Sequence, residues 1–108
     1  ISDFRIKSYT DFNNKLSSAG SKLVVVDFYA TWCGPCKSIE PMVKSLSKEY
    51  SSKVVILKVN VDKFDQLSGY YKVSSMPTFV FIRNGKKISS FSGADDVKLS
   101  NRIGKNNF

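Results

Sequence analysis

Val26-Asp27-Phe28-Tyr29-Ala30-Thr31-Trp32-Cys33-Gly34-Pro35-Cys36-Lys37 runs out of an apolar strand, through a tight turn, and into a helix whose first residues carry two thiols. Cys33 and Cys36 are the only cysteines in the chain. With two residues between them they can close a disulfide within one helical turn, and neither has another thiol to pair with. A bridge around so small a loop takes little entropy from the unfolded chain. The pair therefore reads as a reversible dithiol/disulfide switch rather than a structural staple.

On the N-terminal side, Lys22 to Tyr29 is a continuous β-branched and aromatic run, the pattern of a strand buried on both faces. Before it, Phe4-Arg5-Ile6-Lys7 reads as a short strand. Ser8 then caps a helix in which Phe12, Leu16 and Ala19 recur at helical spacing until Gly20 stops it. On the C-terminal side, Ile39, Met42, Val43, Leu46 and Tyr50 share one face of the helix that begins at the cysteines, and Lys37, Lys44 and Lys48 share the opposite face. Pro41 falls inside that pattern, which predicts a kink rather than a break. Val54 to Val59 is a second buried strand, and a short helix covers Lys63 to Tyr71. Thr78 to Ile82 and Ile88 to Phe91 flank Asn84-Gly85, a hairpin signal. Asp95 and Asp96 open a last helix, with Leu99 and Ile103 inward and Lys98, Arg102 and Lys105 towards an end that favours cations. The order is β-α-β-α-β-α-β-β-α. It predicts one α/β domain over residues 1–108, with helices on both faces of a mixed central sheet.

A chain of 108 residues with 42% apolar and 24% charged residues is large enough for one hydrophobic core. No apolar run approaches the ~18 residues that span a bilayer, so no membrane role is expected. There is no basic-then-apolar leader, and the start at Ile1 rather than Met signals processing or trimming. Two cysteines without a secretory signal fit a reducing compartment. The absence of histidine removes imidazole as base, metal ligand or pH switch. Structural zinc needs four ligands, so two cysteines alone do not make an intramolecular site, and no metal is expected. Seventeen Lys and Arg against nine Asp and Glu give a net charge of +8 and a pI near 9.6. A field of that sign raises encounter rates with acidic partners.

The Val26–Lys37 stretch, with Met76-Pro77-Thr78 and Phe91-Ser92-Gly93-Ala94, resembles the thioredoxin family in order and spacing over essentially the whole chain. Tyr29 stands where many bacterial members carry tryptophan. Ser75 stands where some animal members carry a further cysteine, so that residue cannot link a dimer here. Lys22–Asp27 and Ser92–Ala94 are similar to the animal cytosolic branch. Lys58–Leu67, Ser75–Arg83 and Gly93–Leu99 are similar to the germline thioredoxins of flies.

The resemblance implies a thioredoxin fold, with five strands and four helices, and a protein-disulfide reductase. Cys33, at a helix N-terminus where dipole and free N–H groups favour the thiolate, would attack the substrate disulfide. Cys36, one turn deeper, would resolve the mixed disulfide, and Gly34-Pro35 places the pair at the reducing end of the family. Asp27 is either a strand residue facing solvent or, as in the family, a buried acid beneath Cys36 that accepts its proton. Lys58 on the adjacent strand would be its charge partner or an ordinary surface lysine. Met76-Pro77 would be cis and lie against Cys33. Thr31, Trp32, Gly34, Pro35, Val73, Met76, Pro77, Gly93 and Ala94 would form an uncharged docking surface, although Trp32 also reads as a core aromatic. No cofactor would be bound. Electrons would come from NADPH through a flavoprotein thioredoxin reductase, and the partners would be that reductase and disulfide-containing proteins. A cytoplasmic monomer with access to the nucleus is implied.

The basic surplus has two readings. Lys37, Lys44 and Lys48 form one stripe, and Lys63, Lys72, Arg83, Lys86 and Lys87 are expected to gather elsewhere. Both groups are either plain solvated surface or a dock for acidic partners, nucleic acid or chromatin, with sequence-independent and salt-dependent binding. A binding module with secondary redox activity is thus the alternative to a reductase. An oxidant or isomerase of the secretory pathway is disfavoured by the Gly34-Pro35 turn and the missing leader.

Overall fold

The structure is a computed structural model and describes residues 5–105. Its elements are α1 (Tyr9–Ser18), β1 (Leu23–Tyr29), α2 (Gly34–Glu49), β2 (Val54–Asn60), α3 (Asp65–Tyr70), β3 (Thr78–Arg83), β4 (Lys86–Ser92) and α4 (Asp96–Lys105). Strand order is β2-β1-β3-β4, with β1 parallel to β2 and the other pairs antiparallel. Among the described residues the sheet therefore has four strands, not five. The expected first strand contracts to one parallel bridge, Arg5 to Lys58, and an Ile6 N–H donating to the Lys58 carbonyl at 2.8 Å. Phe4 and the side chain of Lys105 lie outside the described residues. Among the described residues the Ser8 cap turns the chain into α1 three residues after Arg5.

β1 is buried from Leu23 through Phe28, as a run apolar at every position but Asp27 predicts. Alternation sends Leu23 and Val25 into a core with Ile39, Val43 and Leu46 of α2 and Leu99 and Ile103 of α4. Val24, Val26 and Phe28 enter the opposite core with Phe12 of α1 and, at its margin, Leu67 of α3. The result is a three-layer α/β/α sandwich. Asp27 has the parity of Leu23 and Val25, so its carboxyl is directed to the α2 side. No helix among the described residues is long and apolar enough to cross a membrane.

Local signals act as the sequence predicts. The Ser8 hydroxyl accepts from Asp11 N–H at 2.9 Å while the Asp11 carboxylate accepts from Lys7 N–H at 2.9 Å, a reciprocal cap. Asn84 (φ 53°) and Gly85 (φ 78°) both take the positive φ of a tight hairpin. α2 continues through Pro41. Asp95 Oδ1 accepts from Lys98 N–H at 2.9 Å and caps α4. The β3–β4 pairing is irregular at one point. The register slips between Phe81 and Ile82, which pair with Ser89 and Lys87, so Ile88 bulges out of the ladder and is 49% exposed.

The charge map also needs correction. Lys37, Lys44 and Lys48 are exposed along α2 as expected, but the second group divides. Lys63 follows β2, at the sheet end where β1 delivers the cysteines. Arg83, Lys86 and Lys87 sit at or beside the β3–β4 turn, at the opposite end of the sheet. A seven-residue strand separates the two ends by roughly 20 Å. Lys72 is exposed in a left-handed turn after α3. Lys86 and Lys87 on the edge strand suit the discouragement of strand addition.

Candidate active site

β1 ends at Tyr29, and the chain turns through Ala30, Thr31 and Trp32 into α2. The Cys33 N–H donates to the Ala30 carbonyl at 3.2 Å and fixes that turn. Cys33 is the N-cap of α2, with extended backbone (φ −90°, ψ 110°), and its Sγ accepts from Cys36 N–H at 3.1 Å. Pro35 occupies the first turn, where a missing N–H costs nothing. The two cysteines are joined as a disulfide, with Cα atoms 5.3 Å apart. Cys36 is shielded, at 6% exposed, and Cys33 is buried to the same degree, at 4%. Their difference lies in placement. Cys33 Sγ holds the cap position and lies 3.7 Å from the Met76 carbonyl oxygen, whereas Cys36, which shares a cluster with Cys33 and Ala30, also lines a cleft beside Tyr29 and Ala30.

The Met76–Pro77 bond is cis. Thr78 secures its downstream end, with Oγ1 2.6 Å from the Ser75 carbonyl oxygen and 2.8 Å from Ser92 Oγ. Gly93 N–H donates to the Pro77 carbonyl at 2.9 Å. Gly93 has φ 107°, so glycine is required by backbone conformation rather than by crowding, since a Cβ there would meet no atom within 4 Å. Gly93→Ala should destabilise by about 1–2 kcal/mol and lower Tm by roughly 5–10 °C, readable by circular dichroism. An unchanged Tm would show that the turn relaxes freely.

Thr31, Trp32, Gly34, Pro35, Gly93 and Ala94 are exposed, Val73 and Met76 are half-buried, and Pro77 is buried. Trp32 is 67% exposed, which rejects its reading as a core aromatic. Its Nε1 donates to Asp62 Oδ2 at 3.0 Å, and Asp62 N–H donates to Asn60 Oδ1 at 2.9 Å. Sequence reasoning missed Asp62. The available signal was the Asn60-Val61-Asp62 turn directly after β2, with an acceptor at each end.

Asp27 is 2% exposed, which rejects the solvent-facing reading, and its Oδ1 is buried without a hydrogen-bond partner. Desolvation pushes its pKa from 3.8 to about 7; Lys58 pulls it down by charge and Glu40 pushes it up. Lys58 is register partner of Asp27. It acts on Asp27 as expected, yet its 2.6 Å ion pair is with Glu40, and its Nζ lies 4.4 Å from the Tyr29 ring centroid. Glu40 is the second residue the sequence reading missed, although it stands four residues after Cys36 on one helix face. A cleft of about 280 Å³ is lined by Tyr29, Ala30, Thr31, Cys36, Lys37, Glu40 and Lys58.

A disulfide at the start of a helix and beside a cis-proline loop, on an α/β scaffold that also buries a carboxyl, belongs to a dithiol–disulfide oxidoreductase. The thioredoxin family model matches residues 4–105. Thioredoxin-1 of Drosophila yakuba is 54% identical over 100 residues, covering 93% of this chain and 94% of that protein. Human thioredoxin is 50% identical over 99 residues, covering 92% and 93%. The crystal structure of the germline-specific thioredoxin Deadhead of Drosophila melanogaster superposes with a TM-score of 0.92 at 52% identity, covering 94% of this chain and 96% of that one. The chain belongs to the thioredoxin family and is a protein-disulfide reductase.

Proposed function

We infer that Cys33 is the attacking thiol and Cys36 the resolving thiol, an assignment carried by Cys33 Sγ at the N-cap of α2. The Cys36 N–H and the helix dipole that stabilise this sulfur favour its thiolate once the pair is reduced. The Cys33 thiolate attacks one sulfur of a substrate disulfide and expels the other as a thiolate, giving a mixed disulfide. Cys36 loses its proton to Asp27, directly or through water, and attacks Cys33 Sγ. That step closes the intramolecular disulfide and releases the second substrate thiol. Two electrons and two protons pass from the dithiol to the substrate.

Substrate docks as an extended segment on Trp32, Thr31, Gly34, Pro35, Val73, Met76, Pro77, Gly93 and Ala94, with the Met76 backbone beside the reacting sulfur. The disulfide is reduced again by a flavoprotein thioredoxin reductase drawing on NADPH. The chain works as a monomer in the cytoplasm, and its 12.1 kDa size permits entry to the nucleus. The exposed Lys37, Lys44 and Lys48 stripe begins next to Cys36, which favours acidic substrates. Nothing on the divided basic surface favours nucleic acid over them.

Insulin-disulfide reduction with dithiothreitol, followed by turbidity, tests this reading. Turnover well above the dithiothreitol background is expected, and rates on an acidic disulfide peptide should fall about two- to tenfold between 20 mM and 300 mM salt. No activity above background would overturn the reductase assignment. A salt-independent rate would remove the lysine stripe from substrate choice.

A further inference from the structure

Glu40 has no part in the steps above, yet it is built into their machinery. It leaves α2 one turn after Cys36 on the same face, and its Oε1 takes the 2.6 Å ion pair from Lys58 Nζ. Lys58 is the strand neighbour of Asp27, and residues paired in this way point to the same side of the sheet, here towards α2. The side chains of Lys58 and Glu40 are 11% and 25% exposed, so solvent screens this pair less than a surface one. The Tyr29 ring gives Lys58 a second hold. Glu40, Lys58 and Cys36 all line the same 280 Å³ cleft.

We propose that Glu40 is a positioning residue for resolution: by holding Lys58 Nζ it divides that charge between two carboxylates, so that Asp27 does not receive all of it. The inference rests on Asp27 as the proton acceptor for Cys36. Among the described residues, the other charged residues beside the pair are Lys37 of α2, on the cleft wall, and Arg5, whose backbone is bridged to that of Lys58. The β3 neighbour of Asp27 is the uncharged Phe79. Lys58 favours the ionised Asp27 and Glu40 opposes it. Both actions of Glu40, repulsion and the retention of Lys58, thus have one sign. They keep Asp27 a stronger base, matched to neutral pH.

The test follows the Asp27 carboxyl by carbon NMR titration in reduced protein, for the native chain, Glu40→Gln, Lys58→Met and the double variant. Glu40→Gln should move the Asp27 midpoint down by about one pH unit, and Glu40→Asp should restore most of it. The acid limb of the pH profile for decay of the mixed disulfide should move with the midpoint. In the Lys58→Met background the Glu40→Gln shift should shrink to less than half. An unmoved or upward-moving midpoint, or a shift of equal size with and without Lys58, would overturn the proposal. So would a Glu40→Gln chain that fails to fold, which would make the residue structural. Failure of the underlying reading has a separate signature: Asp27→Asn would leave the pH profile of resolution in place, and the proposal would fall with it.

Discussion

Cys36→Ser should convert the enzyme into a trap. Cys33 retains its cap position, the helix dipole and the neighbouring Met76 carbonyl, so attack on a substrate disulfide proceeds. Serine at 36 cannot expel the substrate, because a hydroxyl with a pKa far above that of a thiol is no nucleophile towards a disulfide sulfur at neutral pH. Steady-state reduction should fall at least about 100-fold, to the dithiothreitol background. A covalent adduct of one enzyme and one substrate should accumulate, visible on a non-reducing gel and dissolved by excess reductant. Cys33→Ser should show the same loss of turnover with no adduct. Stability separates the two roles no further, since a disulfide across two residues contributes little to either variant's folding. An adduct formed by Cys33→Ser and not by Cys36→Ser would reverse the assignment.

The scaffold of this site was legible because its signals are local and redundant. The β-branched run at Leu23–Phe28, broken only by Asp27, reads as a doubly buried strand, and Asn84-Gly85 has few uses other than a tight turn. Features that depend on a partner's position were less legible. Phe4–Lys7 has strand-like residues, but how many of them pair depends on how closely the Ser8 cap draws the segment into α1. Ile88 reads as a strand residue, and the slip opposite Phe81 and Ile82 that takes it out of the ladder leaves no mark in the sequence. Asp27 stood out because a carboxylate among valines demands a reason. Glu40 and Lys58 did not, since each is unremarkable in its own segment and the pair exists only because α2 crosses β2 at that height. The equal burial of Cys33 and Cys36 was hidden for a related reason: depth along a helix is a sequence property, whereas cover from Met76 and Val61 is a tertiary one.

Asp27→Asn should raise stability and impair catalysis, with both effects dependent on pH. Burial holds the Asp27 carboxyl at about 7 against 3.8 for the free group. Between those values the folded state keeps a proton that the unfolded state releases. The Asp27 contribution to stability therefore falls as pH rises from about 4 to about 7, and levels off above that range. A displacement of about three pKa units corresponds to about 4 kcal/mol once the group is ionised. Part of that is retained in the variant, because a buried amide without full hydrogen bonding costs about 1–3 kcal/mol itself. The net gain at pH 8 should be about 2 kcal/mol. At pH 4 both side chains are neutral and the gain should vanish or reverse. Urea unfolding of the oxidised proteins at pH 4, 6 and 8 reads this directly, as two curves that diverge with rising pH; parallel curves would place the titrating group elsewhere. Catalysis should move the opposite way, with resolution slowed about 10²-fold or more at pH 7 for want of a proton acceptor. The native residue thus holds its place against folding stability, and the 2% exposed carboxyl with an unpaired Oδ1 is the structural mark of that conflict.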